Sequence, residues 1–223
     1  MGTKISCLAF YTQLILIFAA IFSYFYLVTN RIPPRFFSLV FLIITACILL
    51  LSGCLTADKK EVYLTLNDDG RSGSGRIIFA GIASTPGDSA TAIEEDFNSL
   101  VAEYYQGRKI ELANPGMKNV HKKLFQKNGK LMGEIDFDFD DVADIGIYRY
   151  KGSGPYMYYT VSEGFLTSGQ YQSSNGTYLG DKFPIIFWDS TARDLSYTMT
   201  LTTSQESKKP LLANYERWQK DQH

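Results

Sequence analysis

Apolar and polar positions change their pattern at Cys54 of this 223-residue chain. Ahead of it, two long apolar runs, Leu8 to Val28 and Phe36 to Leu51, flank the short basic stretch Arg31-Ile32-Pro33-Pro34-Arg35. Beyond it the pattern becomes periodic. Val62, Leu64 and Leu66 alternate with Tyr63 and Thr65, the period of two expected of a half-buried strand. Asn67-Asp68-Asp69-Gly70 supplies turn chemistry, and Arg76 to Ala83 reads as the returning strand. Ile93, Phe97, Leu100, Val101 and Tyr104 recur at three- and four-residue spacing and predict one amphipathic helix. Thr91 with Glu94 forms a capping box at its start, and Gly107 ends it. Glu94, Glu95 and Asp96 then fall in the first turn, where the helix dipole favours acids.

Strand signals dominate the rest. Arg108 to Leu112 reads as a short strand, Asn114-Pro115-Gly116 as a turn, and Val120 to Gln126 as a further strand. Asn128-Gly129 is a hairpin signal leading into Lys130 to Phe139, where Ile135, Phe137 and Phe139 alternate with Glu134, Asp136 and Asp138. Past Gly146 the chain is rich in tyrosine, and Phe165 to Gln172, Phe183 to Trp188 and Leu195 to Thr203 extend the sheet. The predicted class is α+β: mostly antiparallel β-sheet with one amphipathic helix packed on it, after an N-terminal apolar signal or transmembrane region. The segments are an apolar stretch 1–30, a signal peptide 31–53, a tether 54–61, a globular domain 62–203 and a polar tail 204–223. Trp218 lies within that tail, in a short helix starting at Pro210, and the tail either docks back on the domain or stays mobile.

Charge sharpens the boundary. Residues 1–54 contain no Asp or Glu and three basic residues, Lys4, Arg31 and Arg35. The 169 residues from Leu55 on carry 19 basic against 23 acidic side chains, a formal charge of −4. This length suits one domain with a core of its own. Phosphate neutralisation needs clustered Lys or Arg, so nucleic acid is not an expected partner.

A basic stretch, an apolar run and small residues before a cut site make a secretory signal peptide. The 16 residues from Phe36 to Leu51 reach about 24 Å as a helix, short of a hydrocarbon core of about 30 Å. Leu51-Ser52-Gly53-Cys54 resembles the bacterial lipobox, in which a branched and two small residues precede a cysteine. That resemblance implies a diacylglyceryl thioether on Cys54, cleavage before it, and acylation of the new amino terminus. At roughly 0.8 kcal/mol per buried CH₂, two or three acyl chains hold a protein on a bilayer. The 21 residues Leu8 to Val28 leave two readings open, a transmembrane helix or a translation start near Leu27 or Val28. Met1-Gly2-Thr3-Lys4-Ile5-Ser6 fits a myristoylation pattern, but the lipobox points to a bacterium and the match is read as chance.

Candidate chemistry in the domain is sparse. Cys7 and Cys47 lie in the apolar segments, so processing at Cys54 leaves no disulfide framework, thiol catalyst or cysteine metal site. The glycines of Gly70-Arg71-Ser72-Gly73-Ser74-Gly75 are read as a long hairpin turn, because strand rather than helix follows. Asp136, Asp138 and Asp140 have the spacing that starts a calcium loop. Asp141 and Ile147 replace its required Gly and Glu, so an acidic outer strand face is the better account. His121, flanked by Lys122 and Lys123, is the one internal histidine; neither a Gly-x-Ser-x-Gly elbow nor a zinc-spaced His pair occurs. No cofactor or metal is expected, and catalysis is not. Tyr148, Tyr150, Tyr156, Tyr158 and Tyr159 either pair across strands or line a groove for a lipid or sugar.

The lipobox, a hairpin with an acidic-glycine turn, one helix, and the Asn-Gly hairpin form a sequence of features. With the strand Gly133-Glu134-Ile135-Asp136-Phe137-Asp138-Phe139 and the run Asp141-Val142-Ala143-Asp144-Ile145, their order resembles the LppM-like domain of bacterial lipoproteins over roughly residues 60–150. The resemblance implies an α+β domain outside a membrane that handles lipid or glycolipid. The expected protein is therefore a lipid-anchored envelope lipoprotein facing the periplasm or exterior. Leu55 after Cys54 favours the outer membrane where there is one. A lipid- or glycolipid-binding module, an assembly lipoprotein contacting an envelope protein, and a carboxylate-based hydrolase stand as the functional classes, in that order.

Overall fold

The computed structural model describes residues 55–85, 90–160, 169–201 and 208–222. The lipobox Leu51, Ser52, Gly53 and Cys54, and both apolar runs before it, lie outside the described residues, as do positions 165–168 of the strand expected from Phe165. Among the described residues, antiparallel β-structure dominates, and no helix is long and apolar enough to cross a membrane.

The expected hairpin is β2 (Lys59–Leu66) and β3 (Gly73–Ala80), following a two-residue strand β1 (Leu55–Thr56). Two further strands, β5 (Lys118–Lys127) and β6 (Lys130–Phe139), turn at Asn128-Gly129, both with positive φ, as a two-residue hairpin requires. With β9 (Gln170–Ser174) and β12 (Asp194–Thr200) they form a six-stranded antiparallel sheet in the order β5-β6-β3-β2-β12-β9. Alternation sends Val62, Leu64, Leu66, Ile135, Phe137, Phe139, Leu195, Tyr197 and Met199 to one face, where all are buried. Gly73 and Gly75 belong to β3 rather than to a turn. A Cβ on Gly75 would stand 2.3 Å from Phe137 Cζ, and one on Gly73 2.8 Å from Phe139 Cζ, so their missing side chains admit the phenyl rings.

A second layer covers this face. Part of it is a four-stranded sheet in the order β10-β11-β8-β7, built from β7 (Tyr148–Arg149), β8 (Tyr156–Tyr159), β10 (Thr177–Tyr178) and β11 (Ile185–Trp188). Tyr158 stacks on Tyr197 with centroids 4.4 Å apart, and Tyr178 on Tyr171 at 3.9 Å. Trp188 Nε1 donates to Asn175 Oδ1, which also accepts from the Ser196 amide.

Helices complete the layer. The predicted stripe forms α1 (Ala90–Ser99) continued by a π-helical turn over Leu100–Tyr105. Phe97, Leu100 and Val101 pack with Ile82, Leu131, Leu211 and Tyr215. The helix begins at Ala90, so Thr91 is inside it rather than capping it. Glu94 is used in tertiary contact, accepting from Asn214 and Arg217, and buried Asp96 accepts from Ser84 Oγ.

Three expectations are corrected. Arg108 to Leu112 is not a strand, because α2 spans Lys109–Ala113. Ile110 is buried while Leu112 is exposed, as a helix allows and a strand, which puts positions two apart on one face, does not; the Asn114 backbone N–H donates to Ile110 O and closes the turn. The tether does not reach residue 61: Leu55–Thr56 pair with β4 (Ala83–Ser84), and β2 already starts at Lys59. Nor does the folded domain stop at residue 203. β13 (Lys209–Pro210) pairs with β4, and α3 (Leu212–Asp221) docks through Leu211, Tyr215 and Trp218. Trp218 meets Phe97 and Tyr105 edge-on at 6.5 and 5.9 Å, apolar contacts that its polar neighbours conceal in sequence.

Lys60 follows from the early start of β2. It shares the core face with Val62, is fully buried, and its Nζ has no hydrogen-bond partner. Its Nζ lies 5.9 Å from the centroid of the Tyr197 ring. Burial pushes the Lys60 ammonium down to about 7.

Candidate functional site

Among the described residues, the six-stranded sheet is covered on one face. Its open face carries the polar half of each alternating strand, and across β5, β6, β3 and β2 these side chains form cross-strand rows. One row runs His121, Asp136, Arg76, Tyr63, and the next brings Ser74 opposite both Thr65 and Asp138. The twisted sheet makes these rows a shallow trough of about 650 Å³, whose rim includes Glu61, Asn119 and Lys127.

Each polar group has an identifiable environment. Arg76 Nε donates to Asp136 Oδ1 at 2.6 Å, and that bond holds the Arg76 guanidinium above its ordinary value. Tyr63 is half exposed, and its hydroxyl donates to Glu61 at 2.9 Å. Desolvation and that bond both raise the Tyr63 phenol. Glu61 is held low chiefly by its bond from Lys59 Nζ at 2.7 Å. Asn119 sits in a bulge of β5 with φ of 49°, and its amide reaches Asp138 Oδ2 at 2.9 Å. Bulges re-aim side chains in this way, and Asn tolerates the left-handed conformation better than most residues.

The arrangement suits recognition of hydroxyl-rich ligands, with an aromatic platform beside donors and acceptors of both charges. It does not assemble a hydrolytic triad. Ser74 and His121 stand two strands apart, roughly 10 Å at about 4.8 Å per strand, and Asp136 is taken by Arg76. The calcium-like aspartates are dispersed likewise: Asp136 to Arg76, Asp138 to Asn119, Asp140 to Lys118. Among the described residues, no three His, Cys, Asp or Glu side chains converge to hold a metal.

The five tyrosines separate into two sets. Tyr156 and Tyr158 point into the core at 1% and 2% exposure, and the Tyr156 hydroxyl donates to Gly70 O at 2.8 Å. Tyr148 and Tyr159 have the outward parity of the four-stranded sheet and Tyr150 lies in the turn after β7; they are 58%, 51% and 47% exposed. Leu179 and Phe183, next to β10 and β11, are exposed too, and none of the five lines the trough. Sequence reading passed over Tyr63, Arg76 and Asn119. The signal that finds them is the polar parity of β2, β3 and β6 once these strands are paired.

Compared with known proteins, the chain matches no family model, no curated protein and no solved structure.

Proposed function

We propose that this chain is a bacterial envelope lipoprotein, exported by the signal peptide 31–53 and held on a membrane by lipid on Cys54. Its folded domain is a non-catalytic module facing the periplasm or exterior that binds a glycan or the sugar headgroup of a glycolipid. Leu51-Ser52-Gly53-Cys54 and the acid-free apolar stretch before it support the anchor. The single observation that carries the binding reading is the trough on the open sheet face, where Tyr63 stands among Asn119, Thr65, Ser74, Asp136 and Asp138. Phe97, Leu100 and Val101 are buried by packing against Ile82, Leu131 and Tyr215, which favours a ligand held on the surface over one enclosed beneath α1. The order of elements that resembles the LppM-like domain agrees with handling a glycolipid. Leu55 after Cys54 favours the outer membrane in a cell with two.

The test has two parts. Metabolic labelling with palmitate marks the wild-type chain, and Cys54→Ala removes the label and releases the protein from membranes; a label that survives the substitution sinks the anchor. The detergent-solubilised full chain is then titrated with soluble peptidoglycan fragments and lipopolysaccharide core saccharides. Saturable binding is expected, weakened about tenfold by Tyr63→Ala, on the order of 1.4 kcal/mol. Binding indifferent to Tyr63, or none, moves the function to a protein partner and assembly.

A further inference from the structure

We propose that the outward face of the four-stranded sheet rests on the lipid bilayer, so that the domain lies flat with its trough turned away from the membrane. The inference rests on the anchoring proposed above and adds the surface that meets the lipid.

Composition is the first ground. Tyr148 and Tyr159 on the four-stranded sheet, and Tyr150, Leu179 and Phe183 in the turns beside its strands, leave about half or more of their surface exposed. Register sets half-buried apolar side chains of the same parity beside the exposed tyrosines: Tyr148 pairs with Met157, Met157 with Phe187, and Tyr159 with Ile185. A contiguous apolar patch of this kind marks a contact surface. Tyrosine with its ring in apolar surroundings and its hydroxyl in water is the residue of a membrane interface, and lysines beside it reach anionic headgroups. Lys151 Nζ lies 5.3 Å from the Tyr150 centroid, and Lys182 adjoins Phe183; both are exposed. The acid of that loop, Asp181, accepts from Tyr178.

The second ground is how soon after Cys54 strand pairing begins. Leu55 is pinned in β1 against β4, one residue after Cys54. A lipid on Cys54 therefore leaves no spacer, and some surface of the domain must abut the bilayer. The open face of the six-stranded sheet, with Glu61, Arg76, Asp136 and Asp138, would lose hydration there. The aromatic face lies on the opposite side. β8 also starts at the β2–β3 turn, where Tyr156 meets Gly70, and runs toward the end at which β2 begins. Tyr159 and Phe183 are accordingly at the end of the molecule nearer Leu55.

The test uses the full chain carrying Phe183→Trp, reconstituted in vesicles of phosphatidylethanolamine and phosphatidylglycerol with lipids brominated near the carbonyls. Emission is read as the difference from the parent chain, which contributes Trp188 and Trp218. Contact places residue 183 within about 5–10 Å of the headgroup–acyl boundary. Most of the emission of the introduced indole is then lost to bromine, whereas Tyr63→Trp on the open face keeps its emission. Tyr150→Trp repeats the reading at a second site. An unquenched indole at position 183 that iodide still reaches overturns the proposal. Protection from iodide without bromine quenching overturns it too, and assigns the face to a second copy of the chain. Mass at Cys54 and flotation of the same sample report the anchor separately, so a failed anchor is distinguished from a failed orientation.

Discussion

The two outer faces of the folded domain share one core and differ in almost everything else. On the six-stranded sheet, the outward positions of β2, β3 and β6 include Glu61, Tyr63, Thr65, Ser74, Arg76, Glu134, Asp136 and Asp138 beside the apolar Ile78 and Met132, and the Arg76–Asp136 pair crosses two strands. On the four-stranded sheet, the outward positions are Tyr148, Met157, Tyr159, Ile185 and Phe187, with Leu179 and Phe183 in the adjoining loop. A strand that meets water on one side alternates, as β6 does; one that meets apolar material on both sides does not, as β8 and β11 do not. Among the described residues, Tyr156, Tyr158, Ile186 and Trp188 on one side of β8 and β11 are buried, whereas on the other Met157, Ile185 and Phe187 are half-buried and Tyr159 is exposed. The comparison teaches that an outward position need not carry a polar side chain.

The comparison can be broken most forcefully from beneath, at Lys60. Its depressed pKa means that between about 7 and 10.5 the unfolded chain holds a proton that the folded chain does not. Stability therefore rises with pH across that window and is flat below it, where both states are charged. From pH 7 to 9.5 the gain is roughly 3 kcal/mol at 1.36 kcal/mol per unit. Lys60→Met removes this dependence and stabilises the domain at pH 7 by up to about 5 kcal/mol, read from urea midpoints at several pH values. A variant no more stable than the parent would mean that the amine is hydrated in solution.

Phe139→Ala comes next. The ring is 2% exposed, lies against Gly73, and belongs to the core beneath both faces. A loss of about 3–5 kcal/mol is expected, with Trp188 fluorescence and far-ultraviolet dichroism melting together. Separate transitions would show that the two layers, and so the two faces, unfold as independent units.

The smallest effect sharpens the contrast at the surface. Arg76→Gln breaks the pair with Asp136, whose side chains are 53% and 40% exposed, so its stability cost stays below about 1 kcal/mol and shrinks with salt. Glycan binding in the trough should suffer while quenching at position 183 does not. A change in both would couple the faces.

Local signals made much of this fold legible. The alternation in β2 and β6, the Asn128-Gly129 turn and the stripe of α1 each carry their own evidence within ten or so residues. The acidic outer face of β6 was readable for the same reason. Failures came where a pattern covers too few residues to decide, as in Lys109–Ala113, or where polar residues hide apolar anchors, as in Leu212–Asp221. Lys60 was read as tether because its neighbours Lys59 and Glu61 are charged, although its parity with Val62 puts it on the core face. The candidate site was half legible: tyrosines 156, 158 and 159 must divide between two faces, but which parity is buried depends on what packs against them.

The sequence by itself determined the break at Cys54, the strand and helix periods, the tight hairpins and the sparse catalytic vocabulary, because these are properties of neighbouring residues. Tertiary structure alone decided that Phe137 and Phe139 lie over Gly75 and Gly73, that Tyr156 and Tyr158 are core while Tyr148, Tyr150 and Tyr159 are surface, and that Asp136 meets Arg76. Those outcomes depend on pairing between residues up to about a hundred positions apart, and a strand's period of two fixes which side chains share a face without saying which face will be covered.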